Sequence, residues 1–414
     1  MKAVAPAIPA DRVDRGVPIS CRCGESESHG GQKYPIVIEI ISEMSALSGQ
    51  QGAWDDLLPI EAAPFSTFAW THAWYAEFSA FYDEMIVLCF RRAGLIRAFL
   101  PLYRLGRELR LAGDISCDYQ DLVVGQRDDA DEAVAALIEW WRRERKPCVL
   151  RFEKTASTGF LLPALRRRME KEQRLLRYER CFMPCPRVAL PGTLDAYLRS
   201  LPRKMRGDCR RALKKLDQQL PAVSLDIVDS GPDLERAIRC AAEFHVQKFR
   251  RNGRSPLADS RLLGVLERVA YDPEAGFHVS LLRDGDRLMA VDFGFSRGGT
   301  YYGYLTGFDE DYRKLAPGKC LLLRRIDAWT SRFGIRELDF LGGDEAYKKG
   351  FTGGREYQVC SIRLFPLGFR FLFEWSCLQV IRTAKRRVKA ILVRFGWWES
   401  FLHMSRSAPG RRSR

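Results

Sequence analysis

One stretch of the chain, residues 300–351, constrains the fold more than any other, because it reads in order as strand, turn, helix, strand and charged loop. Residues 300–305 (TYYGYL) are β-branched and aromatic, as strands prefer. An Ala-Pro-Gly turn at 316–318 opens a helix whose apolar residues recur every three to four positions as far as Gly334, a residue type that often follows a helix. A short apolar strand, 335–341, comes next. The stretch therefore predicts a strand–helix–strand unit of an α/β protein.

The start of this helix is a candidate anion site. A strand that enters a helix through a Pro-Gly turn leaves free backbone N–H groups at the positive end of the helix dipole, where phosphate or pyrophosphate can bind. On local spacing alone, an ordinary crossover connection is an equally good interpretation. Residues 342–349 (GGDEAYKK) then place two acids, a tyrosine and two lysines at the carboxyl end of the sheet. Open α/β sheets bind their ligands at that end, which favours a functional site.

Three motifs give the stretch a family resemblance. They are Phe-Asp at 308–309, Pro-Gly-x-x-Leu-Leu at 317–322 and Leu-Asp-Phe-Leu-Gly-Gly-Asp-Glu-x-Tyr-Lys at 338–348. Together they resemble the CelD-like acetyltransferases of the GNAT superfamily, a branch named for bacterial cellulose biosynthesis. The ending Tyr-Lys-x-Gly-Phe at 347–351 is similar also to the Fem-type aminoacyltransferases of peptidoglycan assembly. The likeness extends over about 66–366, and its motifs are more specific for the superfamily than for a substrate.

The length of the chain and the order of its predicted elements indicate two domains. A chain of 414 residues exceeds what one hydrophobic core usually serves. Both halves show the order strand, helices, antiparallel meander, helix, strand, which resembles two GNAT-like folds in tandem, each a mixed, mostly antiparallel sheet flanked by helices. The predicted organisation is a disordered leader (1–33), an N-terminal GNAT-like domain (34–186), a C-terminal catalytic GNAT domain (187–366), a basic amphipathic helical segment (367–404) and a disordered basic tail (405–414).

The N-terminal half lacks both a Pro-Gly helix opening and a Tyr-Lys loop. We therefore expect it to be structural or to bind the acceptor, with the cofactor site in the second half.

The net charge of +15 predicts anionic partners, such as a nucleotide cofactor, an anionic polymer or lipid, or nucleic acid. The charge is concentrated in a predicted helix, where residues 203–215 carry seven cations against one acid, Asp208. A second basic segment, 369–398, combines Phe, Trp, Leu and Ile with Arg and Lys. For the first segment, anion binding and a solvated helix face stay open. For the second, packing on the protein's own core and peripheral contact with an anionic inner-membrane surface stay open.

The twelve cysteines and the absence of targeting signals predict a cytoplasmic protein. Most cysteines stand among apolar neighbours, as buried reduced thiols do, and we expect no disulfide framework. The close pairs, Cys21 with Cys23 and Cys181 with Cys185, have no second pair at zinc spacing, so no metal is predicted. Neither a secretory signal nor a segment long enough to span a membrane is present.

The resemblance implies acetyl-CoA as acyl donor, with its pantetheine lying between two splayed strands, 300–307 and 338–341. The implied cofactor-binding residues are Leu305, Thr306, Gly307, Ala316, Pro317, Gly318, Lys319 and Cys320. The chain departs from the usual GNAT signature Gln/Arg-x-x-Gly-x-Gly/Ala, because only one of its glycines, Gly318, remains. Aminoacyl-tRNA, the donor of Fem-type enzymes, therefore stays open.

Acyl transfer to an amine or hydroxyl requires a base for the nucleophile and an acid for the departing thiolate. Glu345 or Asp344 is the predicted base, and capping of a helix that begins near 346 is the alternative role for each. Tyr347 stands where GNAT enzymes commonly place the acid, and Tyr304 is its rival. By resemblance to the Fem pattern, Lys348 contacts phosphate or the developing oxyanion; a solvent-exposed lysine is the other interpretation.

The sequence thus predicts an acyltransferase that moves an acetyl or other acyl group from acyl-CoA to an amine or hydroxyl. The family name suggests a sugar or polysaccharide precursor as acceptor, in exopolysaccharide or cellulose biosynthesis. One alternative is a Fem-like, aminoacyl-tRNA-dependent transferase. The other is a non-catalytic protein that binds an anionic polymer or a membrane surface. Nucleic acid is an expected partner only if aminoacyl-tRNA is the donor.

Overall fold

The computed structural model describes residues 34–144, 146–172, 176–249, 255–343, 345–353 and 356–394. The predicted leader, the basic tail, Asp344, the Cys21–Cys23 pair and the part of the helical segment beyond residue 394 lie outside these ranges. The described residues from Ile36 onward form one compact unit. Within them, no helix is long and apolar enough to cross a membrane.

The described strands alternate with helices along most of the chain. The strands are β1 (Val37–Ile41), β2 (Glu84–Arg92), β3 (Leu95–Leu105), β4 (Glu108–Leu111), β5 (Val123–Val124), β6 (Val149–Ala156), β7 (Leu176–Ala189), β8 (Val223–Val228), β9 (Phe277–Asp284), β10 (Arg287–Arg297), β11 (Thr300–Phe308), β12 (Glu337–Asp339) and β13 (Glu356–Phe365). The α-helices are α1 (Met44–Ser48), α2 (Gln51–Leu57), α3 (Phe68–Glu77), α4 (Arg127–Arg143), α5 (Leu161–Lys171), α6 (Leu194–Ser200), α7 (Arg203–Gln219), α8 (Gly231–Phe249), α9 (Ser260–Val269), α10 (Pro317–Arg332), α11 (Ala346–Thr352) and α12 (Phe369–Arg394).

These strands form one mixed, mostly antiparallel sheet. Its order is β1-β2-β3-β4-β6-β13-β7-β12-β11-β10-β9-β8, and β5 pairs with β3 outside this path. In the first half, β2, β3 and β4 form a meander, and β6 then pairs parallel to β4 after α4. In the second half, β9, β10 and β11 form a meander, and β12 pairs parallel to β11 after α10. The predicted α/β class, with a large mixed sheet flanked by helices, is confirmed.

Two strands join the halves. β7 is a long strand with two partners: residues 176–186 pair with β13, and residues 187–189 pair with β12. β13 comes from the end of the second half, yet it lies between β6 and β7. Sequence periodicity did not predict β13, because its position depends on partners far away in the chain.

Both faces of the sheet are buried under helices. On β2, Val87 and Cys89 point into the core covered by α2, α3, α8 and α9, whereas Ile86 and Leu88 point into the core under α4 and α5. This alternation follows from the two-residue period of a strand. In the second half, α7 and α10 cover the same face as α4 and α5, and Trp329 of α10 stacks on Tyr301.

The cysteines depart from the prediction at one pair. Cys181 of β7 and Cys360 of β13 form a disulfide, so the expectation of reduced thiols is wrong for these two. Most of the other described cysteines are buried and free, as expected. The pairing could not be read from the sequence because 179 residues separate the two cysteines.

Asp121 connects the loop after β4 to the start of α5. Its carboxylate accepts the N–H groups of Leu122, Phe160 and Leu161 at 2.7–3.0 Å. A Cβ at Gly159 would lie 2.2 Å from the same carboxylate, so only glycine fits there. We expect Asp121→Ala to lower the free energy of unfolding by about 2 kcal/mol, because buried backbone donors lose their acceptor.

Urea denaturation of the two proteins measures this loss, and Asp121→Asn is the control, because it retains one acceptor oxygen in the same place. Equal stability of Asp121→Ala and the native protein would show that the cap contributes nothing.

Candidate functional site

A wedge opens in the sheet where β11 and β12 separate. The two strands pair only through residues 300–302 and 337–339. Beyond Asp339 the chain follows β7 instead, since the Phe340 N–H donates to Pro186 O (3.0 Å) and the Gly343 N–H donates to Pro184 O (3.0 Å). The edge of β11 beyond residue 302 therefore has no neighbouring strand in the described part of the chain. Its free backbone groups face this wedge.

A bulge shapes β11 at the same place. Gly303 pairs with Gly294 and Leu305 pairs with Phe293, which leaves Tyr304 as an extra residue. Such a bulge bends its strand and increases the local twist. The Tyr304 hydroxyl donates to the carbonyl of Ser116, and its ring packs among aromatic residues on the α3 side of the sheet: Phe65, Trp70 and Phe295. Burial raises the pKa of Tyr304 far above its ordinary value.

The first turn of α10 presents two free backbone donors. Ala316 precedes the helix in a left-handed conformation (φ 51°), and Pro317 is the first helical residue. Among the described residues, no backbone acceptor reaches the N–H groups of Gly318 and Lys319. Cys320 differs, because its N–H donates to Ala316 O (3.0 Å) and its Sγ to Leu315 O (3.4 Å). Five residues of this turn, 316–320, were predicted to bind the cofactor. Of these, Gly318 and Lys319 have free N–H groups that can donate to a ligand.

The basic helix α7 packs beside this turn. Its apolar residues Cys209 and Leu216 lie in cores shared with α10, so the cations face outward. Lys215 Nζ donates to Lys314 O (2.9 Å), which places α7 next to the start of α10. Within the described ranges, no ion pair is formed by the exposed Arg203 and Lys204, which are free to bind an anion.

The loop after β12 is held by Lys348. The side chain of Lys348 is buried; its Nζ donates to Gly342 O (2.9 Å) and pairs with Glu345 Oε2 (3.0 Å). A Cβ at Gly343 (φ 147°) would lie 2.0 Å from the Glu345 carboxylate and 2.5 Å from Lys348 Nζ, which explains the glycine. Lys348 was predicted to contact phosphate or an oxyanion, but here its contacts lie within the loop. Glu345 is about half exposed, whereas Asp344 lies outside the described residues.

Tyr347 lies near a buried ion pair that the sequence analysis missed. Asp292 of β10 pairs with Arg325 of α10, and both side chains are buried. Asp292 also accepts from Tyr301 Oη (2.8 Å) and from the Thr306 hydroxyl. Partial burial raises the pKa of Tyr347 to about 12, and the carboxylates of Glu345 and Asp292 act in the same direction. Tyr347 therefore carries its proton at neutral pH.

The sequence contained one signal for the Asp292–Arg325 ion pair. Asp292 is the only charged residue in the run MAVDFGF (289–295), and a lone acid in a buried strand must have a partner. Its partner, Arg325, could not be identified from spacing.

The first half contributes a wall of the site through residues 113–121. Asp118 Oδ2 accepts the Gly342 N–H (2.9 Å) and is itself paired with Lys154 (3.3 Å). The same loop supplies the Ser116 carbonyl that receives the Tyr304 hydroxyl. Both contacts cross between the halves, so the site is complete only when the two halves are together.

A second ion pair joins β7 to β12. Asp339 pairs with Arg187, whose guanidinium lies 4.3 Å from the ring centre of Tyr357 and 5.2 Å from that of Tyr119. Burial raises the pKa of Asp339 to about 6, and Arg187 opposes the shift. A cavity of about 290 Å³ adjoins Arg187 and Tyr302 and has walls from both halves.

His245 of α8 packs against the other side of β11. Its ring is buried, stacks on Phe249 with 4.3 Å between ring centres, and would lie 3.0 Å from a Cβ at Gly307. Nδ1 hydrogen-bonds Ser255 Oγ (2.8 Å). Burial lowers the pKa of His245 to about 4. These contacts fit a residue that positions the β11 wall of the wedge.

Comparison with known proteins gives a partial match in the second half. Residues 203–349, which contain the start of α10 and Tyr347, match the family model described as "Acetyltransferase (GNAT) domain". No curated protein sequence matches the chain.

Solved structures are similar over nearly their whole length. FemX has 10% identity and a TM-score of 0.53, with 80% of this chain and 97% of FemX covered. The C-terminal domain of an Agrobacterium fabrum protein named as a lysylphosphatidylglycerol synthetase has 12% identity and a TM-score of 0.52, covering 82% and 98%. A Bacteroides thetaiotaomicron protein of unknown function has 11% identity and a TM-score of 0.52, covering 79% and 100%. At these identities the likeness shows the fold alone.

The lowered pKa of His245 predicts an acid-sensitive fold. Its folded-state pKa of about 4 lies below the ordinary 6.5, so the fold favours the neutral ring. This contribution is complete above pH 6.5 and is lost as the pH falls toward 4. As the pH falls from 6.5 toward 4, the native protein should lose unfolding free energy because the His245 ring becomes protonated in the unfolded state. In His245→Gln this loss should be smaller, by at most about 3 kcal/mol.

Urea denaturation between pH 7 and pH 4.5 measures the slope for both proteins. His278, whose pKa is lowered to about 4 by its own burial, remains in the variant, so part of the slope should persist. Identical slopes would show that His245 does not titrate with unfolding.

Proposed function

We propose that this protein transfers an acyl group from acyl-CoA to an amine or hydroxyl acceptor. The observation that supports this best is the pair of free N–H groups at Gly318 and Lys319, placed at the start of α10 beside the wedge between β11 and β12. A helix N-terminus of this kind binds pyrophosphate. The GNAT-type domain over residues 203–349 gives that geometry a transferase context.

The described residues fit a CoA ester in two respects. A Cβ at Gly318 would meet only Phe308, at 3.8 Å, so the turn has open space above its donors. The exposed edge of β11, with Leu305, Thr306 and Gly307, can pair with an extended amide chain as a neighbouring strand would. Bound acetyl-CoA would supply the thioester. Ala316 and Pro317 would shape the phosphate turn, and Lys319 would add a positive charge.

The remaining roles belong to residues around the loop after β12. Tyr347, protonated at neutral pH, holds the proton that a departing thiolate needs. Glu345 is a half-exposed carboxylate able to accept a proton from the acceptor nucleophile, and Asp344 remains the alternative base. Lys348 orders this loop through Gly342 and Glu345. We propose Tyr304 as a positioning residue for the β11 bulge, since its hydroxyl is engaged with Ser116.

A second candidate donor is aminoacyl-tRNA. Cations of α7 without acidic partners in the described part of the chain, such as Arg203 and Lys204, lie on the helix that packs beside the start of α10. Phosphate backbones bind such surfaces through Lys and Arg. The single glycine of the turn, Gly318, also departs from the usual CoA signature. FemX, whose fold is similar, is a reason to test this donor but does not favour it over acyl-CoA.

For the acceptor, we propose a sugar or polysaccharide precursor, as the resemblance to CelD-like proteins implies. A role in cellulose or exopolysaccharide biosynthesis follows only from that resemblance. The cavity of about 290 Å³ between the halves, with Arg187 and Tyr302 in its walls, is large enough for a small polar group of such an acceptor.

Gly318→Asp tests the proposed pyrophosphate site. A carboxylate at this position repels a bound pyrophosphate, yet it suits a helix N-terminus and should not impair folding. We expect titration calorimetry with acetyl-CoA to give at least about tenfold weaker binding for Gly318→Asp. Gly318→Ala is the matched control, because the site has room for a methyl group, and it should bind as the native protein does.

Absence of acetyl-CoA binding by the native protein would exclude the acyl-CoA donor. Activity with charged tRNA that ribonuclease abolishes would then support the second candidate. Loss of binding in both variants would instead indicate a disturbed turn.

Tyr347→Phe tests the proton donor. Because the change removes only a hydroxyl from a half-exposed ring, we expect the Kd for acetyl-CoA to stay the same while kcat falls about a hundredfold or more. Calorimetry and a free-thiol assay of CoA release measure the two quantities. An unchanged kcat in Tyr347→Phe and in Glu345→Gln would remove both residues from the mechanism. Binding of acetyl-CoA by the native protein without any release of CoA would instead favour a non-catalytic binding protein.

A further inference from the structure

The C-terminal helix α12 has two apolar faces, and only one of them is buried. Phe371 packs with Val149 and Phe365, and Trp375 Nε1 donates to Arg177 O (2.8 Å), so this face holds the helix on β7 and β13. The opposite face carries Phe369 (88% exposed), Phe373 (66%) and Val380 (68%). Leu372 and Ile381 beside them are about half exposed.

The exposed side of α12 also carries positive charge. Phe369, Phe373, Val380 and Arg387 recur at intervals of four and seven residues, which places them on one side of the helix. Arg370 and Arg387 are exposed. In sequence, residues 369–394 contain seven Lys and Arg residues and one acid, Glu374. The helix therefore combines large exposed apolar side chains with a strong positive charge.

We infer that the outer face of α12 binds the surface of an anionic lipid membrane. An amphipathic helix inserts Phe and aliphatic side chains at the boundary between headgroups and acyl chains, while its Lys and Arg residues contact anionic headgroups. This inference does not depend on the proposed transferase reaction, since α12 contains none of its residues.

Charge argues against two other occupants of this face. A second copy of the chain in a two-fold contact would bring the exposed Arg370 and Arg387 of α12 against the same two cations. The chain after residue 394 is itself basic, with four arginines and one acid, Glu399, so it would place like charges on the helix. An anionic lipid surface meets both the charge and the apolar side chains.

Vesicle co-sedimentation of the full chain tests the inference. We expect binding to phosphatidylcholine vesicles that contain 30% phosphatidylglycerol, and much weaker binding to pure phosphatidylcholine. The double variant Phe369→Ser with Phe373→Ser should bind at least about tenfold more weakly, because two exposed anchors are lost. Leu95→Ser with Tyr271→Ser is the matched control, since these residues are 61% and 76% exposed elsewhere, and it should bind as the native protein does.

A second double variant and its control test how much the cations of α12 contribute to vesicle binding. Arg370→Glu with Arg387→Glu should weaken binding to the anionic vesicles by roughly fivefold for each charge removed. Arg236→Glu with Arg332→Glu makes the same change of charge at exposed positions away from α12 and should weaken it far less.

Three results would overturn the inference. One is the absence of vesicle binding by the native chain, and another is an equal loss of binding in the α12 variants and their controls. The third is a native dimer or an RNA complex that Phe369→Ser with Phe373→Ser disrupts while vesicles do not bind. Sedimentation velocity and a fluorescent RNA oligonucleotide detect these complexes.

Discussion

The backbone hydrogen bonds between β7 and residues 340–343 determine the rest of the candidate site. They draw the chain after β12 away from β11, because the Phe340 and Gly343 N–H groups donate to carbonyls of β7. Residues 340–343 therefore lie beside β7 and not beside β11, where the pairing of β12 ends at Asp339. β7 can act in this way because it is long enough to pair with β13 through one part and with β12 through the other. One strand thus connects the halves and opens the wedge.

The same arrangement explains why the first half matters to a site whose motifs all lie in the second. Asp118 binds the Gly342 N–H, and the Ser116 carbonyl receives the Tyr304 hydroxyl. A half that lacks its own Pro-Gly turn therefore still fixes the loop after β12 and the bulge of β11. This is a more specific role than the structural or acceptor-binding one expected from the sequence.

Charge is distributed unevenly over the protein. Next to the wedge, Arg325 and Arg187 neutralise the buried carboxylates of Asp292 and Asp339, which would be costly to bury unpaired. The cations of α7 are mostly exposed, as are Arg370 and Arg387 of α12, and in both helices the cations outnumber the acids. We propose a different anion for each of these basic helices: phosphate beside the start of α10, and lipid headgroups at the outer face of α12.

The sequence by itself determined the local order of elements: the strand at 300–305, the helix that begins at Pro317 and the meander before it. Apolar periodicity and the φ restriction of proline act over a few residues, so they can be read from neighbouring positions. The expectation that Gly318, Lys319 and Tyr347 belong to one site came from the family resemblance rather than from these local patterns. Only the tertiary structure decided that Lys348 holds its own loop, that Cys320 uses its N–H within the turn, and that Asp118 reaches Gly342 across 224 residues. Hydrogen bonds and ion pairs between distant residues depend on how the strands are ordered in the sheet, and no local pattern in the sequence records that order.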